Sequence, residues 1–309
     1  MRVGQFEIDM PDPPLRDPHC IAMLQPWLNV GNVGSIVLGR LTKLFDGVEI
    51  GRLDRPSEFY DFTRYRPQIV AKGKERSVNV PNTVVSACRR DGPPDLLLLH
   101  VLEPHIRAED FNDSVLKVLK ALGAVRYVLV GGMYDSVPHS RPLPVTGSAR
   151  NWEVPESLGD IHLGSSTYQG PTSLTSQLTS IASEQVGLET MSLMVHLPLY
   201  LKLDDDFSGA ARLLSALSSM YGLNDDLPEF KLGEKQYSQV TPAMANNPQL
   251  AGLVEKFERE FDERVAKQQP ETIAESDVSV GLTPDIEAFL SKLESGSPGD
   301  RDYPTAGGV

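Results

Sequence analysis

Two short apolar runs, fenced by turn-forming residues, constrain the fold of this 309-residue chain more than any other feature. The first, Asp95-Leu96-Leu97-Leu98-Leu99-His100-Val101-Leu102, lies between Pro93-Pro94 and Pro104. It is short for a helix and apolar on every side, so it is expected as a central strand covered on both faces. The second, Arg126-Tyr127-Val128-Leu129-Val130-Gly131-Gly132, ends in two glycines that let backbone or ligand approach closely. Between them Phe111, Val115, Val118, Leu119 and Leu122 recur at helical spacing over Ala108 to Leu122, with Gly123 where a C-terminal cap belongs. Strand, amphipathic helix and strand in this order make a crossover unit of a parallel sheet.

The rest of the chain repeats the alternation. Cys20 to Leu24 is a short apolar run, followed by the turn Pro26-Trp27-Leu28-Asn29-Val30-Gly31-Asn32-Val33-Gly34. Val33, Ile36, Val37, Leu41 and Leu44 then predict a helix over Val33 to Phe45. Further amphipathic helices are expected over Ser173 to Gln185 and Asp206 to Tyr221, separated by the apolar run Met191 to Leu203. The fold class is therefore α/β, a sandwich around a largely parallel sheet. Asp204-Asp205-Asp206 immediately precedes a helix and is expected to cap it rather than to bind metal.

The C-terminal part differs. Residues 247–309 hold 13 acidic and 6 basic side chains, a net −7 within a whole-chain total of −13. Leu250, Leu253, Val254, Phe257, Phe261 and Val265 still form a helical stripe over Pro248 to Lys267. Three parts are expected: an α/β sandwich over 1–225, a helical extension over 226–268 packed on the core or on a neighbouring subunit, and a linker, short helix and disordered tail over 269–309. Leu253, Phe257 and Phe261 are candidate contacts for a partner or a second copy.

Composition removes several function classes. The acidic balance and the absence of a Lys/Arg run argue against nucleic acid. The purely apolar stretches, such as Cys20 to Leu24 and Leu96 to Leu99, are far below the ~20 residues of a membrane span. The N-terminus lacks the basic and apolar regions of a signal peptide, so a cytoplasmic location is expected. Cys20 and Cys88 stand in apolar surroundings and are expected as buried free thiols. Six scattered histidines form no metal-binding spacing, and no cofactor or metal is expected.

Local motifs for catalysis are incomplete. Asn29 to Gly34 is a glycine turn feeding a helix N-terminus, able to hold an anion or a carboxylate, but it lacks the dinucleotide and P-loop fingerprints. No Gly-x-Ser-x-Gly elbow exists, and the hydroxyls of Gly164 to Pro171 suit caps and turns. His100, Glu103 and His105 read as a strand-end histidine with surface neighbours. Arg141, in the loop Pro138 to Gly147, is expected to pair with an acidic residue, with capture of a carboxylate or phosphate as the alternative. If the strand ends converge, Asn29, Gly31, Asn32, Gly34, Gly131, Gly132, Arg141, Thr167, Tyr168 and Gly170 would line one ligand pocket.

Taken together, several segments resemble the proteasome assembly chaperone family of the second-subunit type. They are Asp54 to Phe62 with Arg66-Pro67, Pro138-His139-Ser140-Arg141-Pro142 with Val145-Thr146-Gly147, Tyr168 to Leu174, and Ser192 to Tyr200. The resemblance spans about residues 18 to 225 and implies a fold similar to purine nucleoside phosphorylases and related hydrolases, a three-layer sandwich around a mixed sheet. It also implies a non-enzymatic role as an interaction protein that associates with itself, a trimer being one candidate state, and with a proteasome-related protein. Tyr303 is six residues from the end and follows Asp302, a departure from the hydrophobic-tyrosine-any tripeptide with which relatives engage the proteasome. The alternative is a small-molecule-binding protein, or a hydrolase- or nucleosidase-like enzyme, using the pocket at the strand ends.

Overall fold

The proline-fenced run forms strand β8 (Leu96–Leu102) at the middle of a ten-stranded sheet. The computed structural model describes residues 1–72, 75–154, 158, 161–163, 172–223, 226–244 and 247–267. Around β8 lie β1 (Arg2–Val3), β2 (Phe6–Ile8), β3 (His19–Gln25), β4 (Val48–Leu53), β7 (Val84–Cys88), β9 (Arg126–Asp135), β10 (Val145–Arg150), β11 (His162–Leu163) and β12 (Glu189–Pro198). Their spatial order is β1-β2-β4-β7-β8-β3-β9-β12-β10-β11. The centre, β8-β3-β9-β12, is parallel, while β7 on one side and β10 on the other join antiparallel. A separate hairpin, β5 (Gln68–Lys72) and β6 (Glu75–Asn79), pairs only with itself.

Helices cover both faces, giving the three-layer α/β arrangement. Those of the sandwich are α1 (Val33–Leu44), α2 (Ala108–Ala121), α3 (Leu174–Ile181) and α4 (Phe207–Tyr221). Strand side chains alternate between two cores, as the period of two requires. Val128, Val130, Leu193 and Val195 pack under α1 and α4. Leu97, Leu99, Tyr127 and Leu129 pack under α2 and α3. The expected helix over Ser173 to Gln185 is α for its first part and changes to a π turn over Ala182–Val186.

Three more helices follow, α5 (Pro228–Ser238), α6 (Val240–Met244) and α7 (Pro248–Lys267). Helix α5 is held to the sandwich by a buried fork in which Arg40 Nε and Nη2 donate to Glu229 at 2.8–3.0 Å. The apolar stripe of α7 is used inside the chain. Val254 and Phe257 bury against Tyr200, Leu201, Leu203 and Val240, and the Phe257 ring stacks on Tyr200 with centroids 6.2 Å apart. Leu253 is half-buried at the edge of this cluster, and Phe261 is also half-buried.

Both cysteines are free and buried, and burial pushes both thiols up, Cys88 to about 12. At the opposite end of the sheet from α7, Asp95 is fully buried. Burial opposes its charge, but Arg16 and the Arg90 amide donate to it and hold it at about 2. Among the described residues, no helix is long and apolar enough to cross a membrane.

Candidate functional site

The carboxyl ends of β3, β9 and β12 point the same way, and open α/β sheets place their sites at such an edge. The turn after β3 arrives there first. The Asn29 backbone bridges to Gly132, and the Gly132 amide donates to the Leu28 carbonyl at 2.9 Å, so the loops at 31 and 132 are neighbours, as the strand-end argument expects. Their glycines serve close packing. Gly31 has a φ of +57°, and a Cβ on it would come within 2.7 Å of the Asp206 Cβ. One on Gly131 would meet the Leu28 carbonyl oxygen at 2.6 Å. Gly34 packs against Met23.

The turn also satisfies its own polar groups. Asn29 Oδ1 accepts from the Ser35 amide at 3.1 Å, closing the first turn of α1, while its Nδ2 donates to Ser35 Oγ at 2.9 Å. Asn32 Nδ2 donates to Asp205 at 2.9 Å. The α1 N-terminus therefore draws on carbonyl and carboxamide oxygens of the chain itself, the groups an anion would otherwise supply.

The loop after β12 meets this turn, since the Asp206 amide donates to the Gly31 carbonyl at 2.8 Å. Asp206 caps α4 by accepting from the Gly209 amide at 2.8 Å, the role predicted for the Asp204 to Asp206 run. Its other oxygen accepts from the Tyr237 hydroxyl of α5 at 2.9 Å. Burial pushes this carboxyl up to about 6, although the Gly209 and Tyr237 bonds favour its charge. Beyond it, His139 Nδ1 lies 2.7 Å from the Tyr200 hydroxyl and its Nε2 3.0 Å from Thr241 Oγ1. Burial keeps this imidazole below its usual range.

Helix α7 runs across the same edge. Arg141 Nε and Nη2 donate to the two Asp262 oxygens at 2.9 Å, Ser140 donates to Glu258, and Arg264 donates to the Ser136 carbonyl. Arg141 thus has the acidic partner expected of it, supplied by the helical extension. Thr167, Tyr168 and Gly170 lie outside the described residues. At the end of β8, His105 Nδ1 accepts from the Asp61 amide, and the Tyr65 hydroxyl donates to the Glu103 carbonyl.

A further constellation has no local motif behind it. Asp135 ends β9, His196 lies near the end of β12, and Thr146 is the second residue of β10. His196 Nδ1 is 2.8 Å from Asp135 Oδ2 and its Nε2 is 2.8 Å from Thr146 Oγ1. Sequence reading takes Pro138 to Gly147 as a loop throughout. Its last three residues instead open β10, because Val145 and Thr146 pair with Val195 and Met194 of β12. The available signal was a histidine within the apolar run Met191 to Leu203, where an uncompensated imidazole would be costly.

Fold and edge geometry together define an α/β sandwich whose strand-end loops are packed on one another and overlain by a C-terminal helix. Residues 23–236 match the PAC2 family, and the chain belongs to that family. A Streptomyces avermitilis PAC2 family protein is 27% identical, with a TM-score of 0.67 over 77% of this chain and 100% of that one. A Corynebacterium glutamicum protein of unknown function gives 0.76 at 21% identity, over 86% of this chain and 99% of that one. A Mycobacterium tuberculosis proteasome-assembly chaperone homologue gives 0.65 at 23% identity, over 76% and 99%. Among curated proteins none matches the sequence.

Proposed function

We propose that this PAC2 family member is an assembly-chaperone-like interaction protein that associates with itself and with a proteasome-related partner. The observation that carries this reading is the state of the strand-end loops. Positions that a small-ligand cleft would leave open are filled by Asp206, Leu28 and Met23, and Arg141 is engaged by α7. The similarity to a proteasome-assembly chaperone homologue adds the nature of the partner. In this reading the sandwich over 1–225 is the scaffold, the extension over 226–268 is its cover, and the molecule works in the cytoplasm.

Self-association draws support from the β5–β6 hairpin. All of its side chains at 66–71 and 76–79 are exposed, including the directly opposed pair Ile69 and Val78 at 70% and 62%. A two-stranded hairpin without a core is marginal in water, and an apolar cross-strand pair on it calls for cover. Residues 66–79 carry Arg66, Lys72, Lys74 and Arg76 against Glu75, a net +3, which leaves −16 on the rest of the chain. The charge contrast suits a second copy.

Immobilised chain is expected to retain purified proteasome core particles, and thermal melting against nucleosides and phosphate is expected to stay flat. A ligand at 100 times its Kd would stabilise by about 2.7 kcal/mol, and such a shift without particle capture would overturn the reading. In sedimentation velocity, Ile69→Glu with Val78→Glu should reduce the assembly to a smaller species. An unchanged sedimentation coefficient would remove the hairpin from the interface.

A further inference from the structure

We propose that Asp135, His196 and Thr146 form a carboxylate–imidazole–hydroxyl relay that makes Thr146 an acyl-accepting nucleophile toward carboxylic esters. Register places the three on one face of the sheet. Pro198 lies opposite Asp135 and His196 opposite Met133 in the β9–β12 pair, while Thr146 lies opposite Met194 in the β12–β10 pair. The imidazole bridges the other two groups at 2.8 Å on each side.

Chemistry fixes the proton positions. The Asp135 carboxylate can only accept, so Nδ1 of His196 donates to it, and in the neutral ring Nε2 accepts from the Thr146 hydroxyl. His196 is 2% exposed and is held between two strands, whereas Thr146 is partly exposed. The base is thus sheltered behind a hydroxyl that solvent can reach, the order of groups that nucleophilic catalysis requires. Asp135 is kept ionised against its burial by the His196 and Ser136 bonds and by Arg264 nearby.

The surroundings of this corner carry further hydroxyls. Along the same sheet face Leu97, Leu99, Leu129 and Tyr127 are apolar core, but Ser148 and Ser192 beside Thr146 are half-buried hydroxyls 3.2 Å apart. Packing alone would favour apolar side chains here, as on the remainder of that face. The hydroxyl pair offers donors to a bound carbonyl oxygen.

In the step inferred, Thr146 Oγ attacks the ester carbonyl carbon and its proton passes to His196 Nε2. Collapse of the adduct breaks the bond to the alkoxide, which leaves as the alcohol with that proton. Water then attacks the Thr146 ester in the same way, releasing the acid and restoring the hydroxyl. This inference stands apart from the chaperone-like reading, so particle capture neither supports nor weakens it.

The test uses the full chain and p-nitrophenyl acetate, following p-nitrophenolate release and mapping the acetyl group by mass spectrometry. The expected result is acetylation at Thr146, retained in Thr146→Ser and absent in Thr146→Val. His196→Gln should slow it at least ~100-fold, the usual worth of a general base. Asp135 is a positioning residue. Asp135→Asn would invert the ring's proton placement and should slow acetylation comparably while thermal melting stays near that of the parent. Acetylation at other residues only, p-nitrophenolate release no faster than the uncatalysed reaction, or an unchanged rate in Thr146→Val would overturn the proposal. The Ser/Val pair decides the matter even if the His196 variant does not fold.

Discussion

Asp206 shows how one side chain joins several parts of the molecule. It caps α4, receives the Tyr237 hydroxyl of α5 and donates its amide to Gly31, all in a site without solvent exposure. Its folded-state value of about 6 lies above the ordinary 3.8, so the native chain binds this proton more tightly than the unfolded chain. The favourable contribution is complete below pH 3.8 and is lost as pH rises through about 6, on the order of 2–3 kcal/mol in all. Asp206→Asn keeps a good cap and removes the charge. Urea unfolding of that variant between pH 4 and pH 7.5 should therefore show a flatter profile than the parent, with equal or greater stability at the upper end. A slope identical to the parent's would assign the titration to another group.

At the scale of elements, the buried fork between Arg40 of α1 and Glu229 of α5 ties the extension to the sandwich. Arg40→Met would take the guanidinium away from a fully buried carboxylate and should cost about 3–5 kcal/mol by denaturant titration. The double change Arg40→Met with Glu229→Leu should recover most of that loss, since the two groups act as one pair. Sequence periodicity shows α1, α2, α4 and α7 plainly because each sets an apolar stripe against a polar face. Strands β8 and β9 show as well, being uniformly apolar and fenced by proline or glycine. The antiparallel flanks are harder to read. Strand β4, Val48 to Leu53, alternates imperfectly around Gly51 and shifts register there, and β10 carries Thr146, Gly147 and Ser148 where a core strand would carry branched apolar residues. The contact between positions 29 and 132 was legible from strand ends alone. The relay was not, because Asp135 and His196 stand 61 positions apart and meet only through the parallel register of two strands.

At the scale of the whole molecule, α7 is attached through one apolar cluster and a few surface ion pairs, while the sheet is buried on both faces. Exposed pairs of this kind contribute little, so Phe257 on Tyr200 should dominate the attachment. Phe257→Ala, costing about 3–5 kcal/mol at a buried site, should raise hydrogen exchange across α7 and leave β3, β8 and β9 protected as before. Equal loss of protection in the sheet would mean that helix and sandwich unfold as one unit.

The hairpin at 68–79 combines two attractions that answer oppositely to ionic strength. Coulombic pull between this net-positive segment and the net-negative remainder of the chain fades once added electrolyte brings the screening length below ~10 Å, near 0.1 M. Contact through Ile69 and Val78 survives those conditions and is reinforced by sulfate. Assemblies that loosen as chloride is raised beyond ~0.1 M yet re-form in ammonium sulfate would therefore reveal both halves of one arm at work.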